Sequence, residues 1–132
     1  MNRSKHGVVN QTTSARALSV FVGLAGVMHF VKPGFFDAIV PKALPGSDRS
    51  WTYGSGVTEL AVAAALVRPS TRRLGGLAAA VLFVAVFPAN VQMALDGGLA
   101  GRPFPLGSPV MAWLRLPLQV PLVAWACRVA VR

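Results

Sequence analysis

The sequence predicts an all-α, polytopic membrane protein: a bundle of four transmembrane helices with the N and C termini cytoplasmic. Three observations predict it. Of the 132 residues, 54% are hydrophobic and 13% are charged, whereas an average soluble domain has about 25% charged residues. The apolar residues fall into four runs, each near the roughly 20 residues that cross a bilayer as a helix. The basic residues lie between these runs and concentrate on one side of the predicted bundle.

The four predicted helices cover about residues 15–32, 51–68, 74–95 and 109–131. The first apolar run, Ala17 to Val31, is short, so we expect Arg16 to extend it by reaching the lipid headgroups. A signal peptide is the alternative, because a basic segment precedes the run. No small-x-small cleavage site follows it, which favours a retained helix.

Residues 1–14 are polar and show no hydrophobic periodicity. They predict a flexible cytoplasmic N-terminal tail. The domain of four transmembrane helices then covers residues 15–132.

The orientation follows from the count of Lys and Arg on each side. Eight lie in the tail, in the link between the second and third helices, and at the C-terminus: Arg3, Lys5, Arg16, Arg68, Arg72, Arg73, Arg128 and Arg132. Four lie in the two loops on the other side: Lys32, Lys42, Arg49 and Arg102. Because the side richer in Lys and Arg is cytoplasmic, both termini are predicted to be cytoplasmic.

The net charge of +9 does not predict a nucleic-acid partner. The basic residues flank apolar runs and do not form a stripe interleaved with aromatics. The single cysteine, Cys127, excludes a disulfide within the chain and a CxxC redox pair. No residue cluster has the spacing of a zinc or iron–sulfur site, so no metal site is predicted.

The loop at residues 33–50 contains apolar side chains beside charged ones, among them Phe35 and Phe36. Two interpretations stay open: a short helix on the outer membrane interface, or a loop with buried phenylalanines. Three aromatic residues fall at the predicted outer boundary, as an interfacial belt requires: Trp51, Tyr53 and Trp113.

Six polar residues belong to the predicted helices and converge on the middle and outer half of the bundle: His29, Glu59, Asn90, Gln92, Arg115 and Gln119. An ionisable group in a bilayer is costly and usually faces the bundle or a cavity. Glu59 and Arg115 are predicted to form a charge pair, because each offsets the penalty of the other. One hypothesis is a pocket for a quinone headgroup, a small polar ligand or a proton. The other is that these residues form interhelical hydrogen bonds.

Prolines are expected to kink the helices beside these six polar residues and so to widen the space between the helices. Pro88 is predicted to interrupt the third helix, and Pro117 and Pro121 the fourth. A proline inside a helix frees the carbonyl four residues earlier, which in lipid needs a partner or a cavity. The carbonyls concerned are those of Val84, Trp113 and Pro117.

Four segments of the chain resemble the DoxX-like family of small bacterial membrane proteins: HFVKP at 29–33, SGVTEL at 55–60, RPSTRR at 68–73 and FPANVQMA at 87–94. The resemblance covers most of the chain from about Ala17. It implies a bundle of four transmembrane helices in the bacterial cytoplasmic (inner) membrane. Of the matched positions, Glu59 and Asn90 are carried over as the shared polar centre.

The resemblance also implies a function, as a membrane anchor or quinone-facing subunit of a redox or oxidative-stress-linked assembly. A soluble or membrane redox protein would be its partner, and a non-catalytic subunit is favoured over an enzyme. Two other functions stay open: a small transporter or permeation subunit, which kinked helices around a polar centre suit, and a structural membrane partner without a ligand.

Overall fold

The computed structural model describes residues 3–98 and 108–131, and the regular structure in them is entirely helical. The all-α prediction is therefore confirmed for these residues. The helices, in chain order, are α1 (Arg3–Val31), α2 (Pro33–Asp37), α3 (Asp48–Val67), α4 (Arg72–Ala85), α5 (Phe87–Leu95) and α6 (Pro109–Val131). The loop residues 99–107, which include the predicted outer-side Arg102, and the terminal Arg132 lie outside the described residues.

Three segments within the described residues are long and apolar enough to cross a membrane. They are Asn10–Val31 in α1, Arg72–Leu95 across α4 and α5, and Pro109–Val131 in α6, with 22, 24 and 23 residues. Each meets the requirement of about 20 residues for a spanning helix. They indicate a multi-pass membrane protein.

Helix α3 is 20 residues long but less apolar, because it contains Asp48, Arg49 and Glu59. It buries Glu59 inside the bundle, whereas Val57 is 60% exposed and Val67 is 51% exposed. A helix that buries a carboxylate and exposes valines has the reverse of the pattern expected for a soluble protein.

Helix α1 begins at Arg3, where the sequence predicted a flexible tail. The prediction differs from the structure because polar residues in this segment have partners on other helices. The Trp125 indole Nε1 donates a hydrogen bond to Ser14 Oγ over 2.9 Å. The Arg72 guanidinium donates to Thr12 Oγ1 over 3.4 Å. These contacts hold α1 against α4 and α6 at residues 12–14.

Neighbouring long helices run antiparallel, with α1 against α3, α3 against α4, and α4 against α6. In the first pair, Ser19 Oγ donates to the Ala63 carbonyl over 2.8 Å, while Gly26 lies against Gly56. Helices α3 and α6 share no contact among the described residues, so they occupy diagonal corners of the bundle. The start of α1 and the end of α6 lie at the same end.

Apolar side chains fill this bundle in two groups. The larger group lies toward the end that holds the described termini: Ala15, Leu18, Val22, Val62, Leu66, Ala79, Ala80, Phe83, Ala126 and Val129. The smaller group consists of Met93, Ala94 and Ala112, with Phe35 and Ile39 packed against it. The segment 33–39 therefore covers the opposite end of the bundle.

The prolines behave differently in the two helical units. Helix α4 ends at Ala85 and α5 begins at Phe87, so the predicted interruption near Pro88 is confirmed. The Val86 backbone N–H at the end of α4 donates to the Leu82 carbonyl over 3.0 Å. The Val84 carbonyl, four residues before Pro88, lies at this break.

Helix α6, in contrast, is continuous through Pro117 and Pro121, and the predicted interruption there is wrong. Both prolines are exposed on the outside of the bundle. A proline removes one hydrogen bond and crowds one carbonyl, and the remaining bonds of a 23-residue helix maintain it.

Candidate functional site

The candidate site forms where α1 and α3 approach most closely. A Cβ added to Gly56 would lie 2.7 Å from Phe30 Cε2 and 2.9 Å from His29 Cβ. A Cβ added to Gly26 would lie 3.1 Å from the Gly56 carbonyl oxygen. Small residues permit this spacing between membrane helices. Because the two backbones are so close, His29 and Glu59 meet across the interface.

The two side chains form a buried pair. His29 Nδ1 lies 3.0 Å from Glu59 Oε2 and 2.7 Å from the Ala25 carbonyl oxygen. A carbonyl oxygen can only accept, so we assign the proton to Nδ1, which donates it to Ala25. His29 is 7% exposed and Glu59 is 8% exposed, so both are withdrawn from the surroundings of the bundle.

This arrangement leaves one carboxylate oxygen without a hydrogen bond. Glu59 Oε2 is buried and accepts none, although it is at ion-pair distance from His29. The single Nδ1–H cannot serve both acceptors with good geometry. A buried acceptor that lacks its hydrogen bond costs about 1–3 kcal/mol, and more when it is charged. Glu59 Oε2 is therefore ready to accept a bond from a donor placed beside it.

An aromatic ring covers the histidine. The rings of His29 and Phe36 stack with centroids 3.7 Å apart and planes at 19°. Phe36 belongs to α2, so the short helix of the first interpretation is present in this loop. Its position on the outer membrane interface stays a prediction. Helix α2 thus covers the His29–Glu59 pair at the end of the bundle opposite the described termini.

Asp37, the last residue of α2, attaches this cover to α3. Its carboxylate accepts hydrogen bonds from Thr52 Oγ1 at 2.5 Å and from Arg49 Nε at 2.9 Å. Desolvation by itself would raise the pKa of Asp37. The hydrogen bonds from Thr52 and Arg49 and the charge of Arg49 outweigh it, so the pKa lies below its ordinary value. Charge-assisted hydrogen bonds of this kind are among the stronger ones in proteins.

The predicted pair between Glu59 and Arg115 is wrong. Arg115 Cζ lies 5.9 Å from the centroid of the Phe35 ring, and its Nη1 lies 3.9 Å from Met93 Sδ. Helices α3 and α6 lie diagonally and share no contact in the described part of the chain. His29, on the neighbouring helix α1, is the partner of Glu59.

The other predicted site residues lie elsewhere. Gln92 Nε2 donates to Asp96 Oδ1 over 3.0 Å. Asn90 is partly buried in α5. Gln119 is buried beside an apolar groove of about 440 Å³ that Phe83 and Phe87 help to line. Among the six predicted residues, the one ion pair or hydrogen bond between two members joins His29 and Glu59.

Phe36 and Asp37 were not predicted as site residues. The available signal was the run Phe35-Phe36-Asp37 directly after His29, in a loop that continues to Arg49. Within the described residues, no three His, Cys, Asp or Glu side chains lie close enough together to hold a metal ion.

An all-helical bundle with three candidate spans and a buried histidine–carboxylate pair defines a multi-pass membrane protein. The chain belongs to the DUF8561 family, described as a domain of unknown function, whose model matches residues 18–130. This range includes both members of the pair. No curated protein and no solved structure matches the chain. The DoxX-like resemblance stays a prediction.

Proposed function

We propose that this protein crosses the bacterial inner membrane four times, with both termini in the cytoplasm and α3 as the fourth spanning helix. Burial of Glu59 and exposure of Val57 and Val67 on α3 support this arrangement, because lipid favours apolar side chains on the outside of a bundle. The antiparallel order of the helices and the larger number of basic residues at the end that holds both termini support the orientation.

Within this membrane, the protein acts as a quinone-facing subunit and anchor of a redox or oxidative-stress-linked assembly. The observation that carries this proposal is the buried Glu59 Oε2, which lies beside His29 but accepts no hydrogen bond. A quinol hydroxyl is a donor of the required kind. Quinones also dissolve in the apolar phase that surrounds the bundle.

The pair also suits proton transfer at such a headgroup. When a quinol becomes a quinone, it releases two electrons and two protons. The electrons pass to the redox group of the partner protein. The Glu59 carboxylate is placed to take one of the protons, and the other passes to water at the membrane surface. A carboxylate near a histidine is a common general base, provided that it lies within hydrogen-bond reach of the proton.

Entry of a headgroup requires movement of α2, because Phe36 covers His29 at 3.7 Å. Next to the pair along α1 and α3, Phe30 and Tyr53 stack with centroids 5.3 Å apart. Both rings are about two-fifths exposed, at 42% and 39%, and so are available to an aromatic ligand approaching from the bilayer.

Native mass spectrometry of the protein, extracted gently with its own lipids, tests the proposal. We expect the unmodified protein to co-purify with a quinol, or with the quinone formed from it by oxidation during extraction. This ligand should be lost in Glu59→Gln and retained at an unchanged level in Asp96→Asn. The second variant makes the same carboxylate-to-amide change at an exposed position. Absence of quinone from the unmodified protein, or equal retention in all three proteins, would overturn the quinone function.

A structural membrane partner without a ligand is the second candidate. The near-complete burial of His29 and Glu59 and the close approach at Gly56 favour it, because such a pair can simply join two helices. In that case Glu59→Gln should reduce the abundance of the protein or its complex, and no small molecule should be released from any variant.

A further inference from the structure

A second polar region lies at the opposite end of the bundle, where the start of α1, the start of α4 and the end of α6 meet. It surrounds a cavity of about 200 Å³, several times the roughly 30 Å³ that a water molecule occupies in the liquid. Most of its lining is polar or aromatic: Asn10, Gln11, Ser14, Arg72, Trp125 and Arg128.

Several hydrogen-bond donors that line this cavity have no acceptor among the described residues. Arg72 Nε is buried and has no hydrogen-bond partner, while its Nη1 makes one long bond of 3.4 Å to Thr12. Ser14 Oγ already accepts from Trp125, so the Ser14 hydroxyl hydrogen remains available. Arg128 forms no ion pair with any described residue. A guanidinium offers donors and no acceptor.

None of the four carboxylate side chains of the sequence lines this cavity. Asp37 and Asp48 pair with Arg49 and Lys42 at the other end of the bundle. Glu59 lies beside His29, and Asp96 accepts from Gln92. The two arginines of the cavity therefore have no acidic side chain to neutralise them, and an anion from outside would do so.

We propose that this cavity binds a phosphate group. Arginine presents a planar fork of donors that matches phosphate oxygens. Arg72 is also the first residue of α4, where the positive end of the helix dipole favours an anion. Basic pockets between transmembrane helices bind phosphorylated lipid headgroups, and tryptophan is typical of the membrane interface where those headgroups lie.

The phosphate can come from two sources: the phosphodiester of an anionic phospholipid or free inorganic phosphate. Either would bridge α1, α4 and α6, and would add to the side-chain hydrogen bonds that Ser14, Thr12 and Arg73 make between these helices in this region. This inference is independent of the His29–Glu59 site at the other end of the bundle.

The test uses the full chain, purified in a neutral detergent and depleted of lipid. Thermal stability and native mass spectra are measured with phosphatidylglycerol in phosphatidylcholine, with inorganic phosphate, and with chloride at equal ionic strength. Arg72→Gln and Arg128→Gln are compared with Arg68→Gln. Arg68 is exposed near the same end and does not line the cavity, so this control makes the same charge change.

We expect binding to weaken about tenfold or more in Arg72→Gln and Arg128→Gln, since each removes a charged hydrogen-bond donor. Binding should change less than about twofold in Arg68→Gln, as for a screened surface charge. Because Arg128 is exposed, its replacement is expected to fold even if that of Arg72 does not.

Stabilisation by phosphatidylglycerol alone identifies the lipid as the source, and stabilisation by inorganic phosphate over chloride identifies the free anion. Either result, with the expected order of variants, supports the site. Equal weakening in Arg128→Gln and Arg68→Gln would show a diffuse surface charge effect and overturn the proposal. Absence of any stabilisation by either probe would also overturn it.

Discussion

Replacement of Gly56 by alanine tests whether the close approach of α1 and α3 positions the His29–Glu59 pair. The new Cβ would lie 2.7 Å from Phe30 Cε2 and 2.9 Å from His29 Cβ, whereas the optimal separation of carbon atoms is about 3.5–4.0 Å. The Phe30 ring is partly exposed and can rotate. The His29 Cβ is attached to the α1 backbone, so relief requires α1 to move by roughly 0.6 to 1.1 Å.

Such overpacking typically costs about 1–3 kcal/mol. The change from glycine to alanine also stabilises a helix by about 0.8–1 kcal/mol, which would hide part of the cost. Gly54→Ala is the matched control, because it lies in the same helix and nothing lies within 4 Å of its added Cβ. The difference in unfolding free energy between the two variants should therefore be about 1–3 kcal/mol, with Gly56→Ala the less stable.

Reversible unfolding of both variants in the same detergent provides the measurement. A second readout is the effect of Glu59→Gln in each background, because displacement of α1 lengthens the contact between His29 and Glu59. That effect should be smaller in the Gly56→Ala background than in the Gly54→Ala background. Equal stabilities of the two alanine variants would refute the reasoning, since α1 and α3 could not then be in the close contact described.

Three further predictions concern other contacts of the bundle. Gly76→Ala should destabilise the protein more than Gly23→Ala in thermal unfolding. A Cβ added to Gly76 would lie 2.6 Å from the Ala130 backbone nitrogen, whereas a Cβ added to Gly23 would lie 3.5 Å from its nearest atom. Similar melting temperatures of the two variants would contradict this prediction. Trp125→Phe should lower the unfolding free energy by about 0.5–1.5 kcal/mol, since the indole hydrogen bond to α1 is lost; an unchanged value in chemical unfolding would count against that bond. The folded-state pKa of Asp37 is lowered, so the stabilising effect of its carboxylate on α2 is complete above about pH 3.9 and is lost as the pH falls through the folded pKa. Amide hydrogen exchange of α2 in the unmodified protein should therefore become faster in that acidic range. In Asp37→Asn, α2 should exchange faster already at neutral pH.

The elements of this fold could largely be predicted from local sequence. The apolar runs give α1, the α4–α5 unit and α6, and Pro88 marks the break between α4 and α5. Residues 3–14 could not be assigned to a helix in this way, because Thr12 and Ser14 have their partners, Arg72 and Trp125, in distant parts of the chain. The prediction that Pro117 and Pro121 interrupt α6 was wrong. Each proline removes one backbone hydrogen bond, but the local sequence does not show that the remaining hydrogen bonds of α6 are sufficient to keep it continuous.

The sequence identified Glu59 of the candidate site, but not the side chains that surround it. Glu59 stands out in the sequence because an acidic residue within an apolar helix is costly. Its partner could not be identified, because His29 and Arg115 were both predicted in the outer half of the bundle and either could pair with a carboxylate. Phe36 was also missed, since its position over His29 depends on how α2 folds back.

The sequence by itself determined that the chain is helical and suited to a membrane, and that an ionisable residue lies inside the bundle. These properties are set by composition and by spacing along one chain segment. The tertiary structure alone decided which helices are neighbours: α3 lies against α1 and diagonal to α6. Gly26 and Gly56 permit the approach of α1 and α3, and that distance, which no local pattern encodes, brings Glu59 to His29 and separates it from Arg115.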